Sequence, residues 1–177
     1  MKKLDMTVEK AMEYAKSKRR FIGPNPGFMA QLQLYETMKC KIDKTNIQYK
    51  MFRLYITADH IKKVKILPQC CADVVKADPS LITVRPDPRV YRCRKCRRIV
   101  AQASNIIPHI SKQKYSWRDK QWSEGLDKIE ICNQTYFIEP LTWMQNVTIS
   151  LEGKLYCPNV NCKCKLGSFS WIMGKSI

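Results

Sequence analysis

The sequence predicts an α+β chain with its helices first and a small β-rich part last. Three observations carry that prediction. Apolar residues recur at helical spacing from Thr7 to Met38. From Val90 onward the pattern changes to short β-rich runs. Two close cysteine pairs, Cys93/Cys96 and Cys157/Cys162, sit on turns between those runs. The expected organisation is helical in 1–40, a helical and Pro-rich linker in 41–90, and a β-rich, cysteine-bearing domain in 91–177.

Residues 7–20 predict the first helix. Thr7 can cap it, and Val8, Ala11, Met12 and Ala15 share one face. Gly23-Pro24-Asn25-Pro26-Gly27 breaks it. Asn25 then offers a second cap, with Pro26 at the first helical position. The second helix has Phe28, Leu32 and Tyr35 on its expected apolar face. Ile47, Met51 and Leu54 give residues 45–67 a helical reading, in two pieces, with Asp59 capping the second and Pro68 ending it. Pro79, Pro86 and Pro88 predict an extended linker over 73–90. Strands are expected at Val90–Arg92, Arg98–Ala101, Thr135–Ile138 and Leu166–Trp171. A hairpin is expected from Val147 to Cys157, turning at Glu152-Gly153. The polar stretch 111–131 reads as a loop insertion.

Composition restricts the partners. The 177 residues carry 32 Lys+Arg against 15 Asp+Glu, a formal charge of +17, with the excess in both halves of the chain. Such a field favours RNA, DNA or an anionic surface. The hydrophobic content of 45% places the chain among folded proteins. No apolar run reaches membrane-spanning length, and no signal-peptide pattern opens the sequence. Its nine cysteines are therefore read for a reducing compartment, where metal binding is favoured over disulfides. In that setting Asn133-Gln134-Thr135 and Asn146-Val147-Thr148 are chance matches to glycosylation acceptors.

Two thiols two residues apart can grip one ion from a single turn, and a second close pair completes a tetrahedron. Cys93, Cys96, Cys157 and Cys162 are the expected Zn²⁺ ligands. Four thiolates around Zn²⁺ leave a net −2. Arg92, Arg94, Lys95, Arg97 and Arg98 flank the first pair, offset that charge, and are expected to lower its thiol pKa values. They also form the candidate RNA or phosphate-binding face. His109, Cys132 and Cys164 make a possible second site, one ligand short of closure; the plainer reading of His109, beside Pro108, is a packed core histidine. Cys40, Cys70 and Cys71 read as small hydrophobic residues. The aromatic-basic cluster Tyr115, Trp117, Arg118, Lys120 and Trp122 is a candidate exposed binding face. None of the nine cysteines has an arginine six positions later. The Cys-x5-Arg phosphate loop is thus absent, and no catalytic residue is assigned.

Around Arg92-Cys93-Arg94-Lys95-Cys96-Arg97-Arg98 the sequence resembles the zinc-binding dual-specificity protein phosphatases. The resemblance extends through Tyr136-Phe137-Ile138-Glu139-Pro140-Leu141-Thr142-Trp143-Met144, Cys157-Pro158 and Lys165-Leu166-Gly167-Ser168-Phe169-Ser170-Trp171. In the N-terminal part, Met6–Ala11, Ile22–Phe28 and Gln31–Tyr35 resemble the last two helices of a dual-specificity phosphatase domain. The resemblance implies that residues 1–40 are a helical remnant of that domain and 91–177 its zinc-binding partner. It implies that the family's catalytic loop lies upstream of the region matching Met1 and that a further Cys-x-Cys-Gly lies beyond the last residues, so the chain reads as a fragment or isoform. It implies a parent enzyme that hydrolyses phosphotyrosine and phosphoserine/threonine esters of a phosphoprotein substrate. It further implies a role in maturation of the large ribosomal subunit, with a pre-ribosomal particle or ribosomal RNA as partner, in nucleus and cytoplasm. Two functions follow: a zinc-dependent binding module, or a protein phosphatase as in the complete family member. A DNA-binding reading lacks any recognition-helix pattern.

Overall fold

The computed structural model describes residues 1–81, 87–108 and 135–172. It mixes helices with small antiparallel sheets, as the α+β reading expects. The chain divides into two compact units, and the division falls between Phe52 and Arg53.

In the first unit, α1 (Val8–Lys18) starts where Thr7 accepts a hydrogen bond from the Lys10 N–H. Glu9 in its first turn and Lys16 and Lys18 in its last complement the helix dipole. α2 (Pro26–Thr37) starts at the predicted cap, the Asn25 side chain accepting from Phe28 N–H at 2.9 Å. Its buried residues are Gly27 and Leu34, while Phe28 is exposed. The inward face therefore lies one residue, about 100° of helix, from the expected Phe28/Leu32/Tyr35 face. α1 packs against α2, and the Val8 N–H donates to the Glu36 carboxylate at 3.2 Å, tying the start of one helix to the end of the other.

α3 (Ile47–Val64) is one continuous helix of 18 residues rather than two pieces. Asp59 lies between Ala58 and Ile61, which are 2% and 0% exposed, and burial on both sides overrides its preference for a cap. The helix ends at Lys65, which has φ 59° and donates to the Ile61 carbonyl at 2.7 Å. Pro68 then opens a short 3₁₀ turn, Gln69–Val74.

Among the described residues, the second unit holds three two-stranded antiparallel sheets. β1 (Val90–Arg92) pairs with β2 (Ile99–Gln102), β3 (Ile106–Ile107) with β4 (Phe137–Ile138), and β5 (Glu152–Tyr156) with β6 (Lys165–Ser170). The expected hairpin from Val147 to Cys157 is corrected. Residues 145–149 make turns, with Ser150 N–H donating to the Asn146 carbonyl at 2.9 Å, and Val147 enters the core. The real hairpin is β5–β6, with the second cysteine pair at its tip.

An apolar cluster joins these strand pairs. Ile61, Val74, Ala101, Leu141, Trp143, Met144, Val147, Leu155 and Trp171 are its main members. Both tryptophans satisfy their indole N–H, Trp143 on the Val100 carbonyl at 3.0 Å and Trp171 on the Val147 carbonyl at 2.8 Å. The span read as a linker contributes directly. Ile61 and Val74 are buried, and Lys76 bridges to Leu141, donating to the Pro140 carbonyl at 2.8 Å and accepting from Thr142 at 2.9 Å. Two short hairpins bury too little apolar surface alone, and this segment supplies the remainder.

Candidate metal centre

Each cysteine pair sits at the tip of a hairpin, and the two tips have matching backbones. In the first, between β1 and β2, Cys93 N–H donates to the Arg98 carbonyl at 2.8 Å, and Arg97 N–H returns to the Cys93 carbonyl at 2.9 Å. In the second, between β5 and β6, Cys157 N–H donates to the Cys164 carbonyl at 2.8 Å, and Lys163 N–H to the Asn159 carbonyl at 3.2 Å. Arg97 (φ 63°) and Lys163 (φ 44°) both occupy the left-handed region, each directly after the second cysteine of its pair. Cys93 thus corresponds to Cys157, Cys96 to Cys162, and Arg98 to Cys164. The second tip is longer by two residues, which accounts for the wider Cys157/Cys162 spacing.

The sulfurs converge. The Sγ atoms of Cys93, Cys96, Cys157 and Cys162 all lie within 4.8 Å of one another. Cys93 and Cys162 are 3.8 Å apart, and Cys96 and Cys157 3.5 Å. A tetrahedron with metal–sulfur bonds of about 2.3 Å has edges of about 3.8 Å. The four cysteines could therefore hold one metal ion. Cys93 and Cys157 are buried, and Cys96 and Cys162 half-buried.

Cys164 lies beside the four-cysteine set. Its Sγ lies 3.2 Å from that of Cys93, so it joins this cluster as a fifth thiol. His109 and Cys132, its expected partners, lie outside the described residues, as does the Tyr115–Trp122 cluster.

The electrostatics of the first pair come chiefly from the backbone rather than from the flanking arginines. The Cys96 N–H, ahead of a hydrogen bond from Cys164, pulls the Cys93 thiol down to about 6, and the Arg98 N–H leads in lowering Cys96. A tight turn aims its amides at sulfur, whereas no flanking arginine or lysine side chain is among the leading causes of either shift. Burial pushes Cys157 up to about 12. Cys164 is also pushed up to about 12, first by its hydrogen bond to Cys93. A bound cation would favour thiolates at all of these positions.

The basic run divides. Arg92, Arg94, Lys95 and Arg97 are exposed. Arg92 donates to the Arg97 carbonyl at 3.1 Å, bracing the turn. Arg98, expected at the phosphate-binding face, instead pairs with the buried Asp78 at 2.6 Å. Asp78 also accepts from the N–H and hydroxyl of Ser80, at 2.9 and 2.8 Å. Arg98 therefore neutralises a carboxylate that burial would otherwise leave uncompensated. The sequence reading also passed over His60, Cys70 and Cys71, whose ligand atoms lie within 4.8 Å of one another. The adjacent cysteines were visible, but the histidine comes within reach only through the fold.

Comparison with known proteins places the chain. It is 35% identical to dual specificity protein phosphatase MPK-4 of Drosophila melanogaster, over 97% of this chain and 54% of that protein. It is 32% identical to human dual specificity protein phosphatase 12, over 97% of this chain and 51% of that protein. It is 37% identical to a probable inactive dual specificity protein phosphatase-like protein of Arabidopsis thaliana, over 55% of this chain and 68% of that protein. The chain belongs to the dual-specificity protein phosphatase family. The relatives that align with 97% of it include phosphatase 12 and YVH1 proteins. It spans about half the length of these relatives. No family profile and no solved structure matches it.

Proposed function

We propose that this chain acts as a zinc-dependent binding module, with a zinc ribbon-like second unit that engages ribosomal RNA or a pre-ribosomal particle during large-subunit maturation. The convergence of four cysteine sulfurs within 4.8 Å carries the metal reading. An all-thiolate tetrahedral set suits Zn²⁺, which has no geometric preference of its own and serves structural sites. The +17 charge supports a polyanionic partner, and Arg94, Lys95 and Arg97 are exposed at the tip of the first hairpin. Nucleus and cytoplasm are the proposed locations.

The names of the relatives favour a second reading, protein phosphatase activity on a phosphoprotein substrate, as a property of the complete protein. The Cys-x5-Arg loop is absent from these 177 residues, so no nucleophile and phosphate clamp are paired here and turnover by this chain is expected at background.

Two measurements test the module. Cys96→Ser should cost one equivalent of zinc by elemental analysis; unchanged zinc content would remove the assignment. Neutralising Arg94, Lys95 and Arg97 should reduce the salt slope of single-stranded RNA binding by about two. An unchanged slope would exclude this face as the RNA contact. Arg98 is left intact because its loss would strand Asp78.

A further inference from the structure

We propose that His60, Cys70 and Cys71 form a second, three-ligand zinc site whose fourth position is open to solvent. The three residues come from two elements of the second unit. His60 lies in the last turns of α3, and Cys70 and Cys71 lie in the 3₁₀ turn that follows Pro68. Their ligand atoms all lie within 4.8 Å of one another. The Cys71 sulfur is 3.7 Å from Nδ1 of His60 and 3.8 Å from the Cys70 sulfur. Those separations are close to the edge of a tetrahedron drawn with zinc–sulfur bonds of about 2.3 Å and zinc–nitrogen bonds of about 2.0 Å.

Both elements are fixed independently of any ion. Ile61, beside His60, is fully buried, and Cys71 and Val74 are buried on the turn. Arg53 holds the turn from α3, donating to the Cys70 carbonyl at 3.1 Å and pairing with Asp73 at 2.5 Å. Asp73 is thereby engaged and stays outside the ligand set, so among the described residues one vertex is left for water or an added ligand. Cys70 is exposed, which gives the ion a route in.

The donor chemistry suits a borderline-soft d¹⁰ cation. Two thiolates and a neutral imidazole balance Zn²⁺ to zero net charge, whereas the four-cysteine set leaves −2. Binding exchanges one zinc for the two thiol protons of Cys70 and Cys71, which pass to solvent. Having three protein ligands rather than four, this site should bind more weakly and exchange faster than the four-cysteine centre. An open vertex on a thiolate-imidazole zinc is the arrangement that accepts a further ligand.

The test is zinc titration of the full 177-residue chain against a chromogenic chelator, with a phosphine reductant keeping the thiols reduced. Wild type is compared with Cys70→Ser and with His60→Gln, each checked by circular dichroism. Cys70 is exposed, so its serine variant preserves the core. Both variants should bind one equivalent less zinc than wild type and lose the weaker, faster-exchanging phase, with the spectrum unchanged and the tight phase intact. Equal stoichiometry and coincident competition curves for all three proteins would overturn the site. A copper(I) titration forms the second arm. Loss of a copper(I) equivalent with no loss of zinc would overturn the zinc assignment. The variants leave Cys93, Cys96, Cys157 and Cys162 untouched, so this outcome is independent of the four-cysteine centre.

Discussion

Arg97 and Lys163 show how much of the metal centre one residue can carry. Each occupies the left-handed region just after the second cysteine of its pair, where a side chain is disfavoured by roughly 1–2 kcal/mol. Arg97→Gly should relieve that strain. After the entropy that glycine loses on folding, the gain should be up to about 1 kcal/mol. Thermal unfolding of the zinc-loaded chain checks it, and a lower melting temperature would show that the arginine is worth more as a charge. At this scale the sequence revealed the cysteine pairs, because ligand spacing is local. It concealed the role of Arg98, whose partner Asp78 lies 20 residues away and becomes its neighbour only after folding. Nothing in a run of five basic residues distinguishes the one that is buried against a carboxylate.

Among the elements, the caps were the most legible features. Thr7 and the Asn25-Pro26 pair start α1 and α2 as predicted, since a cap depends on residues within one turn. The face of α2 and the unbroken course of α3 were not legible, because both are decided by what packs against them. The turn expected at Glu152-Gly153 was misplaced for a related reason, although the strands on either side of the second cysteine pair were legible. Glu152-Gly153 has the composition of a turn, yet Gly153 stands opposite Phe169 within the ladder. A Cβ built on Gly153 would come within 2.7 Å of the Phe169 ring. The glycine is there to let the ring lie across the strand, where it packs against the core. Gly153→Ala should displace the ring and destabilise the unit by about 1–3 kcal/mol in denaturant unfolding. A change within experimental error would mean that the ring swings aside without loss.

For the whole molecule, helices come first and cysteine-tipped strands last, and the stretch between them carries core residues. Ala58, Ile61 and Val74 belong to the same apolar cluster as Leu155 and Trp171. The second unit therefore begins within α3, some forty residues earlier than the cysteine pattern alone suggests. If zinc holds the four-cysteine centre, chelation should accelerate amide exchange from Ala101 to Gln102 and from Glu152 to Ser170 well beyond any change in α1 and α2. Equal acceleration in both units would mean that they unfold together, and none would mean that the core stands without metal.

The two cysteine tips belong to sheets that share no strand, so an ion between them would join distant stretches of chain. Cys96 and Cys157 are separated by 61 positions, and Cys93 and Cys162 by 69. Seen as polymer topology, the ion closes a large ring, as a covalent cross-link would. A ring of that size removes about 4 kcal/mol of conformational freedom from the unfolded chain in the simplest entropy treatment. Because closure entropy grows only logarithmically, residues added between the two tips would change that figure little: doubling the ring shifts it by about 0.6 kcal/mol. In closure entropy alone, the interval between Cys96 and Cys157 can therefore lengthen at small expense, provided the added residues stay clear of Ala101, Leu141, Trp143, Met144, Val147 and Leu155, which build the core.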